Sequence, residues 1–153
     1  MSAAHGAACA DCGARYAHAD DSCTVRFDTL LALDHSHREP WGSRHGLAFA
    51  VFALQHPSRY DARTQARSHE LLSRVLVAQE PLDAVVRDFR ARDRRTRRAP
   101  VALAAPAAAP RRYAVTIADL DDFGADRYPA DLDRWGRATL DALGPLPHDP
   151  DLT

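Results

Sequence analysis

The cysteines near the N-terminus carry the most specific chemistry in this sequence. Cys9 and Cys12 stand in a CxxCG segment that ends at Gly13, and Cys23 follows before the first apolar run. A CxxCG turn holds two thiolates close together, since the glycine lets the backbone fold back behind them. Three thiolates and one imidazole complete a tetrahedral shell, which is the geometry that structural zinc prefers. The pattern therefore predicts zinc as a cofactor, bound through these three cysteines.

The fourth ligand has several candidates, because the chain contains eight histidines. We expect His45, which stands where a helix begins and where the preceding loop returns toward the cysteines. His35 is the alternative, since its helix directly follows Cys23. His56 cannot join His45 on one ion, because the two are about 16 Å apart along a straight helix. The remaining candidates are His18, His37, His56 and His69.

A redox pair or a disulfide accounts for the cysteines less well than a metal site does. A thioredoxin-like CxxC pair opens a helix that follows a strand, and no strand is predicted before Cys9. Disulfides are disfavoured because three cysteines are an odd number and because cytosolic thiols stay reduced. The third cysteine adds a soft ligand, which favours a metal over a redox role.

A second group of polar residues stands around the end of a strongly apolar segment. Gln55 and His56 precede Pro57, and His69 lies on the apolar stripe of the next predicted helix. In one interpretation both histidines donate to backbone carbonyls inside the core. In the other, Gln55, His56 and His69 line a small-molecule pocket, with the histidines as general acid and base or as ligands of a second, open metal site. The residue types fit either interpretation.

The hydrophobic periodicity indicates an all-α fold of about five to six helices behind an N-terminal zinc knuckle. The segment 47–54 is apolar on all sides, which is typical of a central buried helix. Pro57 and Gly144 are placed to end helices, and Thr116 opens a capping box. Helices are expected over residues 25–36, 44–55 and 62–79, from residue 81 onward, over 116–123, and from 129 to Gly144.

Composition divides the chain into four segments of one globular domain. The 153 residues are 46% hydrophobic, which is enough to bury a sizeable core. One stretch is almost entirely Ala and Pro and has no polar face, so it is interpreted as a linker. The segments are a metal-binding knuckle over 1–24, a helical core over 25–98, the Ala/Pro linker over 99–112 and the C-terminal helices over 113–153.

Charge and hydropathy exclude several classes of function. The formal net charge is −1 and all twenty basic residues are arginine, which excludes a Schiff-base lysine and the lysine of a phosphate-binding loop. The arginine-rich run 87–98 has Phe89 as its one aromatic residue, so nucleic-acid binding by base stacking is not expected. No apolar run approaches the roughly 20 residues of a membrane span. We expect a cytoplasmic protein; the oligomeric state is left open.

The sequence also resembles a bacterial family built on a domain of unknown function. Its members share CxxCG, a cysteine before a Leu-Leu-Ala helix, His-x-Leu, Gln-His-Pro and a histidine on the next helix. The family implies no established activity. Ala50 and Phe52 depart from its pattern, which has an acidic residue and a tyrosine there. The matching residues are Cys9, Cys12, Gly13, Cys23, Leu30, Leu31, Ala32, His45, Leu47, Ala53, Gln55, His56, Pro57 and His69.

These features predict a zinc-binding helical accessory or binding protein. The first alternative is a small metalloenzyme that acts on a biosynthetic-pathway metabolite, through an open metal position or through His56 and His69 as catalytic residues. The second is a zinc-containing nucleic-acid-binding regulator. No Ser-His-Asp arrangement, HExxH motif, nucleotide-binding loop or paired-carboxylate motif points to a defined class of enzyme.

Overall fold

A computed structural model describes residues 7–96 and 112–145 of the chain. Within these ranges there are five α-helices and no strand, which confirms the all-α prediction. None of the described helices combines the length and apolar character needed to cross a membrane. The helices are α1 (Cys23–Asp34), α2 (His45–Gln55), α3 (Ala62–Leu72), α4 (Leu82–Arg95) and α5 (Tyr128–Leu143).

Helix α2 forms the centre of the fold, as its uniformly apolar sequence predicts. From Leu47 to Gln55 every side chain is buried apart from that of Phe49, which is half-buried. The helix packs most extensively against α3 and α5. A helix that is apolar on all sides is stable in water only when all of its sides are buried. The other helices therefore pack around α2.

Helices α1 and α2 form an antiparallel pair. The side chain of Ser22 caps α1 by accepting from the backbone N–H of Val25 at 3.2 Å. Near this end, the rings of Phe27 and Phe52 stack with centroids 3.8 Å apart. At the opposite end, Asp34 at the end of α1 lies against His45 at the start of α2. The start of α1 therefore lies beside the end of α2, which decides which histidine can reach Cys23.

Helix α3 is extended by a π-helical turn over Ser73–Val77, which no periodicity in the sequence indicates. Its first turn is capped by the Asp61 side chain, which accepts from the N–H of Thr64 at 2.7 Å. Helix α5 approaches the π-helical turn closely at Gly136, where an added Cβ would lie 2.5 Å from Cδ1 of Leu76. The sequence predicted one helix over 62–79. The regular α-helix ends at Leu72, and the π-helical turn follows it.

The C-terminal part begins with the predicted capping box. The hydroxyl of Thr116 accepts from the N–H of Ala118, and Asp119 accepts from the N–H of Thr116 at 2.7 Å. The turn spans Ile117–Asp119 and does not continue to Phe123, because the buried Leu120 adopts an extended backbone. The proposed Ala/Pro linker lies outside the described residues, except for Arg112.

Candidate metal centre

The CxxCG segment forms a compact turn that holds two of the three cysteines. The N–H of Cys9 donates to the carbonyl of Ala14 at 2.8 Å, and the N–H of Gly13 donates back to the carbonyl of Cys9 at 2.9 Å. Gly13 has φ +76°, a left-handed conformation that favours glycine. Cys12 is buried and Cys9 is half-buried. The segment thus closes a tight loop that carries both thiols.

The third cysteine is the first residue of α1. Its sulfur lies 3.6 Å from the sulfur of Cys12, which is much longer than the roughly 2.05 Å of a disulfide. Two thiolates on one tetrahedral zinc, each about 2.3 Å from the ion, are roughly 3.8 Å apart. The hydroxyl of Tyr16 donates to the sulfur of Cys23 at 2.9 Å. The distance between the two sulfurs fits an ion bound by both. The hydrogen bond from Tyr16 would help to orient the sulfur of Cys23 toward that ion.

His56 completes the group from the end of α2. Its Nδ1 lies 2.8 Å from the carbonyl oxygen of Phe52, and a carbonyl can only accept, so Nδ1 carries the proton. The ring also stacks on the ring of Phe52, with centroids 4.0 Å apart. The Nε2 atom is buried and has no hydrogen-bond partner among the described residues. An unprotonated, unpartnered imidazole nitrogen is what a metal ligand offers.

The four side chains meet at one point in the described part of the chain. One ligand atom from each of Cys9, Cys12, Cys23 and His56 lies within 4.8 Å of all the others. Cys12, Cys23 and His56 are 1%, 4% and 1% exposed. Such separations suit a single tetrahedral ion, whose bonds are about 2.3 Å to sulfur and 2.0–2.1 Å to nitrogen. The structure thus contains a Cys₃His group that could hold a metal ion.

The electrostatics of the thiols reflect their close approach. The hydrogen bond between Cys12 and Cys23 lowers the pKa of Cys23 and outweighs the opposite effect of burial, and the proximity of His56 and of the Tyr16 hydroxyl adds to the lowering. The same contact, together with burial, raises the pKa of Cys12. The two sulfurs therefore share one proton when they face each other alone. A divalent cation removes the need for that proton, because it stabilises both thiolates.

The structure places His45 away from the three cysteines. Its Nδ1 lies 3.0 Å from Oδ2 of Asp34, and its ring centroid is 5.3 Å from that of His35. In the antiparallel pair of α1 and α2, the start of α2 meets the end of α1, whereas Cys23 is at the start of α1. For this reason the structure groups His56, and neither His45 nor His35, with the cysteines.

The three residues of the expected small-molecule pocket have different surroundings in the described part of the chain. His69 donates from Nε2 to the carbonyl of Gly144 at 2.8 Å and lies beside an open cleft of about 330 Å³ between the π-helical turn and the end of α5. Gln55 and His56 are absent from the lining of that cleft. His56 faces the cysteines instead, so the two histidines belong to different parts of the fold.

The arginine-rich run is partly neutralised by acidic side chains. Arg92 lies 2.6 Å from Glu70 on the neighbouring helix, and Arg87 pairs with Asp83 one turn away. Phe89 is buried, with the guanidinium of Arg92 4.8 Å from its ring centre. A buried aromatic ring is not available to stack on a base. In the described residues of the run, Phe89 is therefore part of the core and is not placed to stack on a base.

Sequence reasoning included His56 among the candidates for the fourth ligand but preferred His45, and it missed Tyr16 altogether. The distance between His45 and His56 along α2 excludes only an ion bound by both residues. It does not indicate whether the start or the end of α2 lies beside Cys23. A short connection between two helices usually makes them antiparallel, and this signal would have favoured His56. Tyr16 carries no comparable signal, because its contact with Cys23 depends on the loop conformation.

Comparison with known proteins identifies a family for this chain. A model of the family described as "Family of unknown function (DUF5946)" matches residues 7–144, which is most of the chain. No curated protein and no solved structure is significantly similar to the chain. The matched range includes all four residues of the Cys₃His group.

Proposed function

The chain belongs to the family of unknown function DUF5946, and we propose that it is a zinc-binding helical protein in which one zinc ion has a structural role. The ion is held by Cys9, Cys12, Cys23 and His56. Three thiolates and one imidazole form a soft, tetrahedral donor set, which zinc occupies more often than harder cations do. The donors supply the full coordination number of a structural site.

The observation that carries the proposal is the buried Nε2 atom of His56. A buried nitrogen lone pair without a partner costs roughly 1–3 kcal/mol, and this one lies in a group with three sulfurs. The opposite ring nitrogen is fixed by a backbone carbonyl, an arrangement that recurs in metal-binding histidines. A metal ion satisfies Nε2 and all three sulfurs at once, and no hydrogen bond among the described residues does so.

A structural role follows from the closure of the site. Catalytic zinc keeps one position open for water or substrate, whereas four protein ligands leave none. The loop before α1 is also attached to the rest of the fold by the hydrogen bond from Ser58 to Asp11 at 2.6 Å and by the ion pair of Asp21 with Arg26 at 2.9 Å. Zinc would join this loop to the start of α1 and the end of α2. The protein then acts as an accessory or binding protein whose knuckle depends on the ion.

Metal analysis of purified protein tests the proposal directly. The wild-type protein should contain about one zinc per chain. Cobalt substitution should give a thiolate-to-cobalt charge-transfer band and the intense visible absorption of a tetrahedral site. Both signals should weaken in Cys23→Ser and His56→Ala, while His69→Ala, a change at a buried histidine outside the group, should leave them intact. Protein purified without chelator, reduced and free of stoichiometric metal would contradict the proposal.

A further inference from the structure

We propose that His45 and His35 form a second, solvent-facing site for a divalent transition-metal ion, in which Asp34 orients His45. The site lies where the end of α1 meets the start of α2, at the opposite end of this helix pair from the Cys₃His group. It is independent of the zinc centre, because it shares no residue with it. The argument rests on a buried carboxylate, the imidazole that it holds and the position of a second imidazole.

Asp34 is the first part of the argument. Its side chain has no exposed surface, and its Oδ2 lies 3.0 Å from Nδ1 of His45. Its Oδ1 is also buried and has no hydrogen-bond partner among the described residues. A carboxylate in this position is costly to bury, and buried polar atoms left unpaired are rare in folded proteins. Orienting a metal-binding histidine is one of the established uses of such a carboxylate.

The contact with Asp34 determines what His45 presents to solvent. Because a carboxylate accepts, Nδ1 of His45 carries a proton, and in the neutral imidazole Nε2 is then the nitrogen with the lone pair. The side chain of His45 is 41% exposed, and no partner of Nε2 occurs within residues 7–96 and 112–145. Metal-ligating histidines commonly donate one ring N–H to a carboxylate and bind the ion through the other nitrogen. His45 has this arrangement, with Nε2 as the nitrogen that would bind.

His35 supplies the second ligand. It follows the last residue of α1 and is exposed, and its ring centroid lies 5.3 Å from that of His45 with the planes tilted by 41°. With metal–nitrogen bonds of about 2.0–2.1 Å, two imidazoles on one tetrahedral ion have ring centres roughly 5 Å apart. The observed separation of the ring centres is thus compatible with one ion bound between the two rings.

The donor set defines the class of ion. Imidazole nitrogens favour Zn²⁺, Ni²⁺, Co²⁺ and Cu²⁺ over Mg²⁺ and Ca²⁺. Two protein ligands leave the other positions to water, so this site is open and binds more weakly than the Cys₃His group. The dipoles of α1 and α2 oppose each other where the two helices meet, and the guanidinium of Arg44 is turned toward the carbonyl of Pro40. The carboxyl group of Asp34 is the acidic group in contact with His45.

The experiment is a titration of the zinc-loaded protein with Ni²⁺, followed by calorimetry and by equilibrium dialysis. One additional Ni²⁺ should bind per chain while the zinc content stays constant. His35→Gln and His45→Gln should each weaken Ni²⁺ binding by about tenfold or more. The amide of Gln at position 45 can still donate to Asp34, so this variant should fold. His18→Gln and His37→Gln, which change other exposed histidines, should bind Ni²⁺ like the wild type.

Asp34 is tested as a positioning residue. Asp34→Asn should weaken Ni²⁺ binding about 10–100-fold while the zinc content remains at its wild-type value. A Co²⁺ titration separates the two sites: the cobalt at His35 and His45 should bind without a thiolate-to-cobalt charge-transfer band. The proposal is overturned if no Ni²⁺ binds up to millimolar concentration, or if binding persists unchanged in His35→Gln and His45→Gln. Neither result would affect the test of the zinc centre, because zinc content is measured separately.

Discussion

The Nδ1–H group of His56 donates to the carbonyl oxygen of Phe52, 2.8 Å away in the last turn of α2. The same two residues stack their rings with centroids 4.0 Å apart, and Phe52 stacks in turn on Phe27 of α1. The imidazole is therefore held in both orientation and tautomer before any ion arrives. A ligand fixed in this way loses little conformational entropy on binding.

The first prediction concerns the identity of the fourth ligand. His56→Ala should reduce the zinc content of the purified protein well below one ion per chain and lower its melting temperature, because both the ligand and its buried contacts are lost. His56→Cys should retain zinc, since a Cys₄ shell is also a common structural site. Elemental analysis and thermal unfolding measured on the same samples give both quantities.

The matched control is His69→Ala, which removes another buried histidine. His69 donates to the carbonyl of Gly144 and takes no part in the Cys₃His group. Its loss should lower stability and leave zinc stoichiometry at the wild-type value. If His56→Ala binds zinc as tightly as the wild type, the fourth ligand lies elsewhere.

The second prediction concerns Tyr16, whose hydroxyl donates to the sulfur of Cys23 at 2.9 Å. Tyr16→Phe removes this hydrogen bond and keeps the buried ring. Outer contacts of this kind typically contribute about 10–100-fold to metal affinity, so we expect a loss of zinc affinity in that range with the fold unchanged. Competition with a chromophoric chelator measures the affinity. An affinity within twofold of the wild type would show that the hydroxyl does not support the site.

The third prediction concerns the dependence of stability on zinc. If the native chain binds zinc and the unfolded chain does not, its free energy of unfolding rises by about 1.4 kcal/mol for each tenfold increase in free zinc above the dissociation constant. Chemical unfolding in zinc-buffered solutions should show this slope. In Cys12→Ser the free energy of unfolding should depend less steeply on free zinc, because one buried ligand of the ion is lost. A wild-type protein whose stability is independent of free zinc would rule out a structural role for the ion.

Local sequence was sufficient to predict several features of the fold. The capping box of Thr116 depends on a residue three positions away, and it forms as expected. Gly144 ends α5 with φ +67°, as a glycine at that position suggests. The apolar character of α2 likewise predicted its burial, because burial of a whole helix depends on its own composition.

Other features depend on how distant elements meet. His56 lies beside Cys23, where the sequence analysis expected His45, because α1 and α2 pack antiparallel. No single residue encodes this packing. The π-helical turn over Ser73–Val77 accompanies the close approach of α5 at Gly136, a tertiary contact. The sequence identified the cysteines as a group because they are close together along the chain. It left the identity of the fourth ligand undecided, because packing of the helices determines which histidine lies near the cysteines.

Gln55 belongs to a hydrogen-bond network inside the core. It is 0% exposed. Its Oε1 accepts from the indole N–H of Trp135 at 3.0 Å, while its amide nitrogen donates to the carbonyl of Val115 and to the hydroxyl of Thr139. The hydroxyl of Thr139 donates onward to the carbonyl of Trp135 at 2.8 Å. Every polar atom of the Gln55 side chain thus has a partner, and the network joins α2 to α5 and to the loop before Ile117.

The last prediction separates this structural role from the ligand-binding role suggested by the sequence. Gln55→Leu keeps approximate size but leaves the indole N–H of Trp135 and the carbonyl of Val115 without their partners, at a cost of about 1–3 kcal/mol for each group left unpaired. Denaturant unfolding should show this loss while zinc content stays constant. Gln65→Leu is the matched control: its amide donates to the carbonyl of Ala53 at 2.7 Å, which also accepts from the N–H of His56, so no group is orphaned and the loss should be smaller. A Gln55→Leu protein as stable as the wild type would mean that the network contributes nothing to folding, and Gln55 would again be a candidate for binding a ligand.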